Sequence, residues 1–329
     1  MNSGPPESRY RSAATPLRVV FMGTPQIAAR ILERLIQTQG KIHLLAGVVT
    51  QPDRPRRRGL QLTPSEVATI ADRFGVPVLK PTKIRTPEFL AQLKALEPDV
   101  ILVAAYGRIL PTPVLEAARI APINVHASIL PAHRGASPVE AAILAGDSES
   151  GVTIMRVTEK LDAGPILLQR KVPLAPDETQ GSLKDKLAEA GSEAAIVALE
   201  KIAAGEITET PQDESLATYT RPIEKSDTII DWRASAVTIE RATRAYDPSP
   251  VARSSFRGEP LLIYHVELAA PESEQLEPSV IVSLDPAPVV QCGRGQLRLV
   301  EVQAPGRRRM PAADFARGRR ISSGERFGT

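Results

Sequence analysis

The chain has 329 residues, room for two domains of ordinary size, and 42% of them are hydrophobic, enough to form buried cores. No apolar run approaches the roughly 20 residues that a membrane-spanning helix needs. Cys292 is the sole cysteine, which excludes an intrachain disulfide and a cysteine metal cluster and fits a reducing cytoplasm. The net charge of +3 is too small to identify a partner, and 4% aromatic residues are too few for repeated base stacking.

Residues 1–16 lack the apolar core of a secretion signal, so we expect a disordered tail, with a short organellar presequence as the alternative. Strand-like apolar runs then alternate with amphipathic helical patterns, and this predicts a Rossmann-like, mostly parallel sheet covered on both faces. Thr24 is predicted to cap the first helix, with Pro25 at its first position. Strands are predicted at 17–22, 44–50, 77–79 and 99–104 and helices at 67–74 and 89–96.

The second half of the chain changes character near residue 205. Before it, Ser137 and Pro138 open a short helix, 152–157 and 166–172 form a predicted strand pair joined by a loop, and 182–204 is a helix ended by Gly205. After it, a helix at 236–245 precedes short strands at 261–268, 279–284, 289–292 and 296–303, typical of a small OB-like β-barrel. We therefore predict a catalytic domain at 17–204, a linker at 205–217, a second domain at 218–320 and a tail at 321–329.

The first strand-turn-helix invites a nucleotide-binding interpretation. Its turn offers Gly23 alone, without the G-x-G-x-x-G fingerprint or a Walker lysine. An ordinary turn of a doubly wound sheet is therefore the better interpretation.

Asn124 and His126 lie at the end of an apolar run, and residues two apart project from the same side of a strand. A histidine at a strand end is often only a hydrogen-bonded structural residue, but a neighbouring amide aimed at the same point favours chemistry. Asp162 precedes Ala163 and Gly164, which permit a tight turn that would fix its carboxylate. An amide, an imidazole and a carboxylate can polarise a carbonyl and manage a proton without a metal.

Two further segments have both a structural and a functional interpretation. Residues 128–131 are either a plain turn or the wall of a pocket for a flat heterocycle; they are Ser128, Ile129, Leu130 and Pro131. Residues 51–59 hold two prolines and a glycine that keep them out of helix and strand, and four arginines that suit either a solvated loop or a phosphate-binding loop: Arg54, Arg56, Arg57 and Arg58. A second basic cluster comprises Arg307, Arg308, Arg309, Arg317, Arg319 and Arg320.

The chain resembles the formyltetrahydrofolate-dependent formyltransferases, and among them the methionyl-tRNA formyltransferase family, over nearly everything after the first 16 residues. The resemblance rests on 22–25 (MGTP), 51–55 (QPDRP), 105–111 (AYGRILP), 124–131 (NVHASILP), 134–136 (RGA), 151–155 (GVTIM), 161–164 (LDAG) and 230–232 (IDW). Departures are Ile129 for a leucine, Ala127 for a glycine, absent lysines at 60–62, and altered residues at 246–250. The departures leave the chemistry intact and affect only the details of tRNA contact.

The resemblance implies that Asn124, His126 and Asp162 are catalytic, that residues 128–131 contact the folate, and that Arg58 is the main acceptor-stem contact. Arg108, Ile109 and Leu110 would line the pterin pocket. The implied reaction transfers the formyl group of 10-formyltetrahydrofolate to the α-amino group of methionine on initiator methionyl-tRNA. Direct attack through a tetrahedral intermediate gives N-formylmethionyl-tRNA for translation initiation.

The implied enzyme is a cytoplasmic monomer that uses folate as co-substrate, without a metal and without a membrane. The sequence-based mechanism gives Asn124 and His126 as hydrogen-bond donors to the oxyanion, with Asp162 stabilising the charged imidazole. Two rival functions stay open on the sequence. One is formylation of a small amine, such as an amino-sugar nucleotide or a purine precursor, and the other is a non-catalytic RNA-binding protein.

Overall fold

The computed structural model describes residues 15–56, 61–269 and 276–328. The chain forms two compact units: the first comprises Met1–Pro138, Glu149–Pro173 and Lys184–Thr220, and the second comprises Val139–Ser148, Leu174–Leu183 and Arg221–Thr329. Within the described ranges, none of the helices combines the length and the apolar character that crossing a membrane demands. Nearly all of the predicted N-terminal tail, and the arginines at 57 and 58, lie outside the described residues.

The elements up to Thr220 follow the predicted alternation. The strands are β1 (Leu17–Gly23), β2 (His43–Val49), β3 (Arg54–Arg56), β4 (Gln61–Thr63), β5 (Val78–Leu79), β6 (Val100–Ala104), β7 (Ala121–His126), β8 (Arg134–Gly135), β9 (Glu149–Arg156), β10 (Ile166–Pro173) and β11 (Tyr219–Thr220). The helices are α1 (Gln26–Thr38), α2 (Glu66–Arg73), α3 (Pro87–Ala95), α4 (Thr112–Leu115), α5 (Pro138–Ala145) and α6 (Gln180–Ala204).

A seven-stranded sheet with the order β10-β9-β7-β6-β1-β2-β5 forms the first unit's centre. The strands from β7 to β5 pair in parallel, whereas β9 pairs antiparallel with both β7 and β10. The predicted mostly parallel sheet is thus confirmed. β1 and β6 are buried along almost their whole length, as expected for parallel strands covered on both faces.

Side-chain caps begin two of the helices. The Ser65 hydroxyl accepts a hydrogen bond from a backbone N–H of α2, and the Thr86 hydroxyl does the same for α3. The prediction that Thr24 caps α1 is wrong, because Pro25 occupies the cap position. The Thr24 hydroxyl instead donates to the Tyr106 carbonyl, 3.1 Å away, and so ties the end of β1 to the residues that follow β6.

The basic segment is not wholly irregular. β3 pairs antiparallel with β4, so the expectation that prolines exclude strand structure here is wrong for Arg54–Arg56. In a separate two-stranded ribbon each strand is an edge strand, where proline is tolerated because half of the backbone donors need no partner strand. β3 and β4 therefore form a two-stranded antiparallel ribbon, and residues 57–60 lie outside the description.

The second unit contains α7 (Ala236–Tyr246), β12 (Ala252–Phe256), β13 (Glu259–Leu268), β14 (Ile281–Ser283), β15 (Val289–Gln291), β16 (Gln296–Gln303), β17 (Met310–Pro311) and α8 (Ala312–Arg319). β12, β13, β16, β15 and β14 lie side by side in an antiparallel sheet, and β17 pairs with β16. The separate, mostly β second region is confirmed. β12 and α8 were not predicted.

The interpretation of 321–329 as a tail is wrong for the residues described. Phe327 is 1% exposed and lies against Phe256 and Trp232, with ring centroids 5.3 and 5.8 Å away. Backbone N–H groups of Phe327 and Gly328 donate to the carbonyls of Ser279 and Ser255. The last residues therefore connect the β12 edge of the sheet to the segment that leads into β14.

Cys292 lies in the same core and is 1% exposed. Burial raises the pKa of its thiol to about 12. The residue therefore behaves as a small apolar side chain rather than as a nucleophile or metal ligand.

Candidate active site

β7 places Asn124 and His126 at the carboxyl end of a parallel strand in the middle of the sheet. Asn124 is in register with Val103 of β6 and Met155 of β9, so its backbone is held from both sides. His126 faces Thr153 of β9 and is buried. The predicted same-side placement of the two side chains follows from this regular pairing.

The imidazole of His126 lies between two protein groups. Its Nε2 is 3.0 Å from the His133 carbonyl oxygen, and its Nδ1 is 3.6 Å from Oδ2 of Asp162. A carbonyl only accepts, so Nε2 must carry the proton and donate. In the neutral ring, Nδ1 then directs a lone pair at the carboxylate, and 3.6 Å is longer than a hydrogen bond. Nδ1 of His126 and Oδ2 of Asp162 are therefore two acceptors that face each other and can share one proton.

The structure thus brings His126 and Asp162 together and alters the role inferred for the histidine. Burial lowers the pKa of His126, and the neighbouring carboxylate of Asp162 raises it by less than burial lowers it. The ring is therefore neutral at neutral pH, not the charged form inferred from the sequence. Its Nε2–H is also already bonded, so that donor does not point to a substrate oxygen.

We expect the folded-state pKa of His126 to lie below 6.5, the ordinary value. In the neutral state Nδ1 can accept a proton; as the pH falls through the lowered pKa, the ring becomes protonated and loses this capacity. An NMR titration of the His126 Cε1–H resonance, assigned with a His126→Asn variant and referenced to the chain unfolded in urea, measures the shift. A folded-state midpoint at or above that of the unfolded chain would contradict it.

Asp162 reaches the site on the loop that follows β9. β9 is antiparallel to β7, so the loop that follows it begins at the amino end of β7, where Val157 N–H donates to the Pro122 carbonyl. The loop returns to His126, with Asp162 in a left-handed conformation at φ +48°. Its Oδ2 accepts a hydrogen bond of 2.8 Å from the Gly135 N–H.

Glycines allow the close backbone approaches around this loop. A Cβ atom on Gly164 would lie 1.9 Å from the Arg156 carbonyl oxygen, and one on Gly135 would lie 2.1 Å from that of Thr220. Gly135 also has φ +115°, which side chains rarely permit. Any larger residue at either position would displace the backbone that holds Asp162.

The Asn124 side chain is half-buried, and among the described residues its amide makes no hydrogen bond. Two amide N–H donors and one acceptor are thus available on the same side of β7 as His126. A donor fixed on a rigid strand and left unused is what an oxyanion site requires.

The loop at 128–131 is held by bonds of its own. The buried Ser128 hydroxyl donates to the Ala132 carbonyl at 2.6 Å, and the Leu130 N–H donates to the Thr153 hydroxyl at 3.1 Å. Leu130 is buried, whereas Ile129 and Pro131 are partly exposed. Their predicted contact with folate stays a prediction, and only the latter two present side-chain surface for it.

The ends of β1, β2 and β6 meet beside this site. Gln51 Nε2 donates to the Tyr106 carbonyl at 2.8 Å, the same oxygen that accepts from Thr24. Arg108 donates to the Thr82 carbonyl at 2.9 Å, and the Ile109 side chain is 70% exposed. A single exposed isoleucine is ordinary on a protein surface, so the predicted pterin contact of residues 108–110 stays a prediction.

The basic clusters differ in how much charge they leave unpaired. Arg54 is exposed and contacts Gln51, while nothing is described for the side chains of Arg56, Arg57 and Arg58. In the second cluster, three arginines pair with carboxylates: Arg309 with Asp247 and Glu301, Arg317 with Asp314, and Arg319 with Glu259. Exposed pairs of this kind reduce the positive field available to a polyanion.

Sequence reasoning missed the residues that support the pair. Arg134 is 0% exposed and donates to Gln212 and Glu214, both within the predicted linker. Gln212 in turn donates to the carbonyls of Asp162 and Gly164. No periodicity or spacing marks a single glutamine in a polar segment, so the sequence held no signal for this contact.

Residues 17–199 match the Formyl transferase family and residues 222–320 match Formyl transferase, C-terminal domain. The chain is 47% identical to a methionyl-tRNA formyltransferase of Roseiflexus sp. (strain RS-1), over 95% of this chain and 96% of the relative. It is 45% identical to a methionyl-tRNA formyltransferase of Methylococcus capsulatus, over 95% of this chain and all of the relative.

Solved structures share the fold at lower identity. An N-formyltransferase from Helicobacter canadensis, in complex with folinic acid and dTDP-3-aminofucose, superposes with a TM-score of 0.63 at 17% identity and covers 86% of this chain and 99% of its own. HypX from Aquifex aeolicus, in complex with tetrahydrofolic acid, gives a TM-score of 0.59 at 19% identity and covers 92% of this chain and 47% of its own. These structures show the shared fold, and the Formyl transferase matches with the sequence relatives show that the chain belongs to the methionyl-tRNA formyltransferase family of formyl transferases.

Proposed function

We propose that this chain transfers the formyl group of 10-formyltetrahydrofolate to the α-amino group of methionine on initiator methionyl-tRNA, and that Asn124, His126 and Asp162 perform the chemistry. The observation that supports it most directly is the 3.6 Å approach of His126 Nδ1 to Asp162, on the strand that presents the unused amide of Asn124. A carbonyl polariser and a proton acceptor side by side are the two devices that acyl transfer to an amine requires.

The first step forms a bond between the amine nitrogen and the formyl carbon, and the carbonyl π electrons move to oxygen. The Asn124 amide donates a hydrogen bond to this oxyanion. One such preorganised donor is typically worth about 3 kcal/mol of transition-state stabilisation. His126 does not serve the oxyanion in this scheme, since its Nε2–H is bonded to the His133 carbonyl.

The second step moves the proton that the attacking nitrogen must lose. His126 Nδ1 accepts this proton, and the Asp162 carboxylate stabilises the resulting imidazolium. The distance between Nδ1 and Oδ2 shortens to that of a hydrogen bond once Nδ1 carries the proton. The bond between the carbon and N10 then breaks, the carbonyl reforms, and N10 receives the proton from the pair. The products are the N-formyl amide and tetrahydrofolate, and the pair returns to its initial state.

The identity of the acceptor is supported by sequence relatives rather than by the site itself. Methionyl-tRNA formyltransferases match at 41–47% identity over 93–95% of this chain, whereas the N-formyltransferase from Helicobacter canadensis in complex with dTDP-3-aminofucose, which covers 86% of it, is only 17% identical. The arginine-rich segment at 54–58 is proposed to bind the acceptor end of the tRNA, and residues 128–131 the folate. We further propose a cytoplasmic monomer with a catalytic domain at 17–204 and a tRNA-binding domain that extends from residue 218 to at least Phe327, which packs in its core.

A formyl-transfer assay decides between the proposal and its rivals. The chain is incubated with 10-formyltetrahydrofolate labelled in the formyl group and, separately, with initiator methionyl-tRNA, elongator methionyl-tRNA, an amino-sugar nucleotide or glycinamide ribonucleotide. Label on initiator methionyl-tRNA above all others supports the proposal. Label on a small amine alone identifies the first rival, and tRNA binding without transfer identifies the second.

Replacing Arg58 with alanine is expected to raise KM for tRNA and to leave kcat nearly unchanged. One phosphate contact fewer also lowers the dependence of log affinity on log salt by about one unit of slope. Steady-state kinetics at several salt concentrations measure both, with Arg34→Ala, an exposed position on α1, as the matched control. An unchanged slope for Arg58→Ala would assign the loop to solvent.

A further inference from the structure

Arg134 anchors a hydrogen-bond network behind the His126–Asp162 pair. Its buried guanidinium donates to the Gln212 side-chain oxygen from Nε and Nη2, at 3.1 and 2.8 Å. It also grips the Glu214 carboxylate with two bonds of 3.0 and 2.9 Å and donates to the Tyr219 hydroxyl at 3.2 Å. This bidentate geometry fixes the guanidinium plane and leaves the Gln212 amide one orientation.

The other end of Gln212 holds the loop that carries the carboxylate. With its oxygen facing Arg134, its Nε2 donates to the carbonyls of Asp162 and Gly164, at 2.8 and 2.7 Å. All of the hydrogen-bonding capacity of this side chain is in use, with two bonds accepted and two donated. Asp162 sits at φ +48°, a conformation that costs a non-glycine residue free energy and persists only where surrounding contacts impose it.

The same segment supports the histidine. The Thr218 carbonyl accepts from the Arg134 N–H at 2.9 Å, and the Thr218 hydroxyl accepts from the His133 N–H at 2.8 Å. β8 pairs in parallel with β11 immediately afterwards. These bonds fix the His133 carbonyl that receives the His126 Nε2–H, and the Gly135 N–H that binds the Asp162 carboxylate.

We propose that Gln212, held by Arg134, is a positioning residue that sets the distance and orientation of Asp162 relative to His126. It touches no reacting atom in the mechanism above and acts only through the backbone of residues 162–164. The inference rests on the proposed function for its kinetic readout. A displacement of about 1 Å in a catalytic group can cost on the order of 100-fold in rate, so loss of two backbone bonds should be visible.

Gln212→Leu removes all four hydrogen bonds, and Gln212→Glu keeps an acceptor for Arg134 but removes both donors to the loop. We expect each variant to lower kcat about tenfold or more, with KM for both substrates changed less than about twofold. Glu209→Gln is the matched control: it lies in the same segment and pairs only with Arg156 among the described residues. Its kcat should stay within about twofold of the parent chain.

A double-mutant cycle separates positioning from general support of the fold. If Gln212 acts through Asp162, Gln212→Leu causes no further loss of kcat in an Asp162→Asn background. An equal fold-loss in both backgrounds, or an unchanged kcat in the single variants, would overturn the inference. Should Gln212→Leu fail to fold, the isosteric Gln212→Glu serves in the same cycle.

An NMR measurement keeps this inference distinct from the proposed function. The His126 Cε1–H resonance of Gln212→Glu should differ from that of the parent chain, whereas that of Glu209→Gln should not. If the parent chain transfers no formyl group, the proposed function is wrong, but the positioning role of Gln212 is not tested by that result. The resonance then decides the positioning role by itself: a shift supports it, and an unchanged spectrum overturns it.

Discussion

Asp162→Asn lowers the turnover number at least about 100-fold, while the fold and the affinity for both substrates are retained. The amide has the shape of the carboxylate and its oxygen can still accept from the Gly135 N–H, which lies 2.8 Å from Oδ2. It carries no charge, so it cannot stabilise a protonated His126, which burial already disfavours. A loss of 100-fold corresponds to about 2.7 kcal/mol of activation free energy.

Single-turnover formyl transfer at saturating substrate measures this effect, and Glu159→Gln is the control. Glu159 lies in the same loop, is exposed, and contacts Thr112 rather than the site. Asn124→Ala and His126→Ala are expected to fall in the same range as Asp162→Asn, since each removes a group that acts in one transition state. Near-parental turnover in all three variants would remove the proposed chemistry altogether.

Phe327→Ala destabilises the second unit by about 3–5 kcal/mol. The ring is enclosed, with Trp232 and Phe256 as neighbours, and its backbone continues the sheet through the bond to Ser279. Deleting a buried ring removes its transfer free energy and leaves a cavity that the β scaffold can only partly fill. A large effect at Phe327 is the opposite of what the predicted tail at 321–329 would show.

Urea denaturation monitored by tryptophan fluorescence reports on this unit, because Trp232 is the sole tryptophan and lies 5.8 Å from Phe327. Leu268→Ala is the matched control: it lies in the same unit, at the end of β13, and is 55% exposed, so we expect a change within about 0.5 kcal/mol. If the urea midpoint of Phe327→Ala equals that of the control, residues 321–328 contribute no packing energy and the original prediction of a tail stands.

The periodic spacing of apolar residues predicted most of the strands and helices of the first unit. Continuous apolar runs indicated the buried parallel strands. Asn124 and His126 are two positions apart, and this spacing predicted that both side chains lie on the same side of β7. The loop containing Asp162 was also predicted, because one predicted strand precedes it and the strand that pairs with the first follows it. These inferences depend on neighbours within a few residues, which is the range over which sequence patterns are informative.

The errors share a different cause. Thr24 was predicted to cap a helix because it precedes a proline and a helical apolar pattern. Its hydroxyl instead donates to the carbonyl of Tyr106, which is 82 residues away in the sequence. Gln212 lies in a polar, proline-containing stretch that resembles a linker, and only the folded chain brings it to Asp162. Phe327 follows an arginine- and glycine-rich run, so nothing local indicates burial. Contacts between distant residues leave no periodic signal.

The enclosed thiol of Cys292 makes this chain a ready background for site-specific labelling. With a pKa of about 12, only on the order of one molecule in 100,000 is a thiolate at pH 7, and maleimide reagents attack the thiolate. A cysteine introduced by Ile109→Cys would be the single reactive position on the protein, on a side chain that is 70% exposed. A fluorophore there would test in real time the predicted pterin contact of residues 108–110, without removal of any native residue elsewhere.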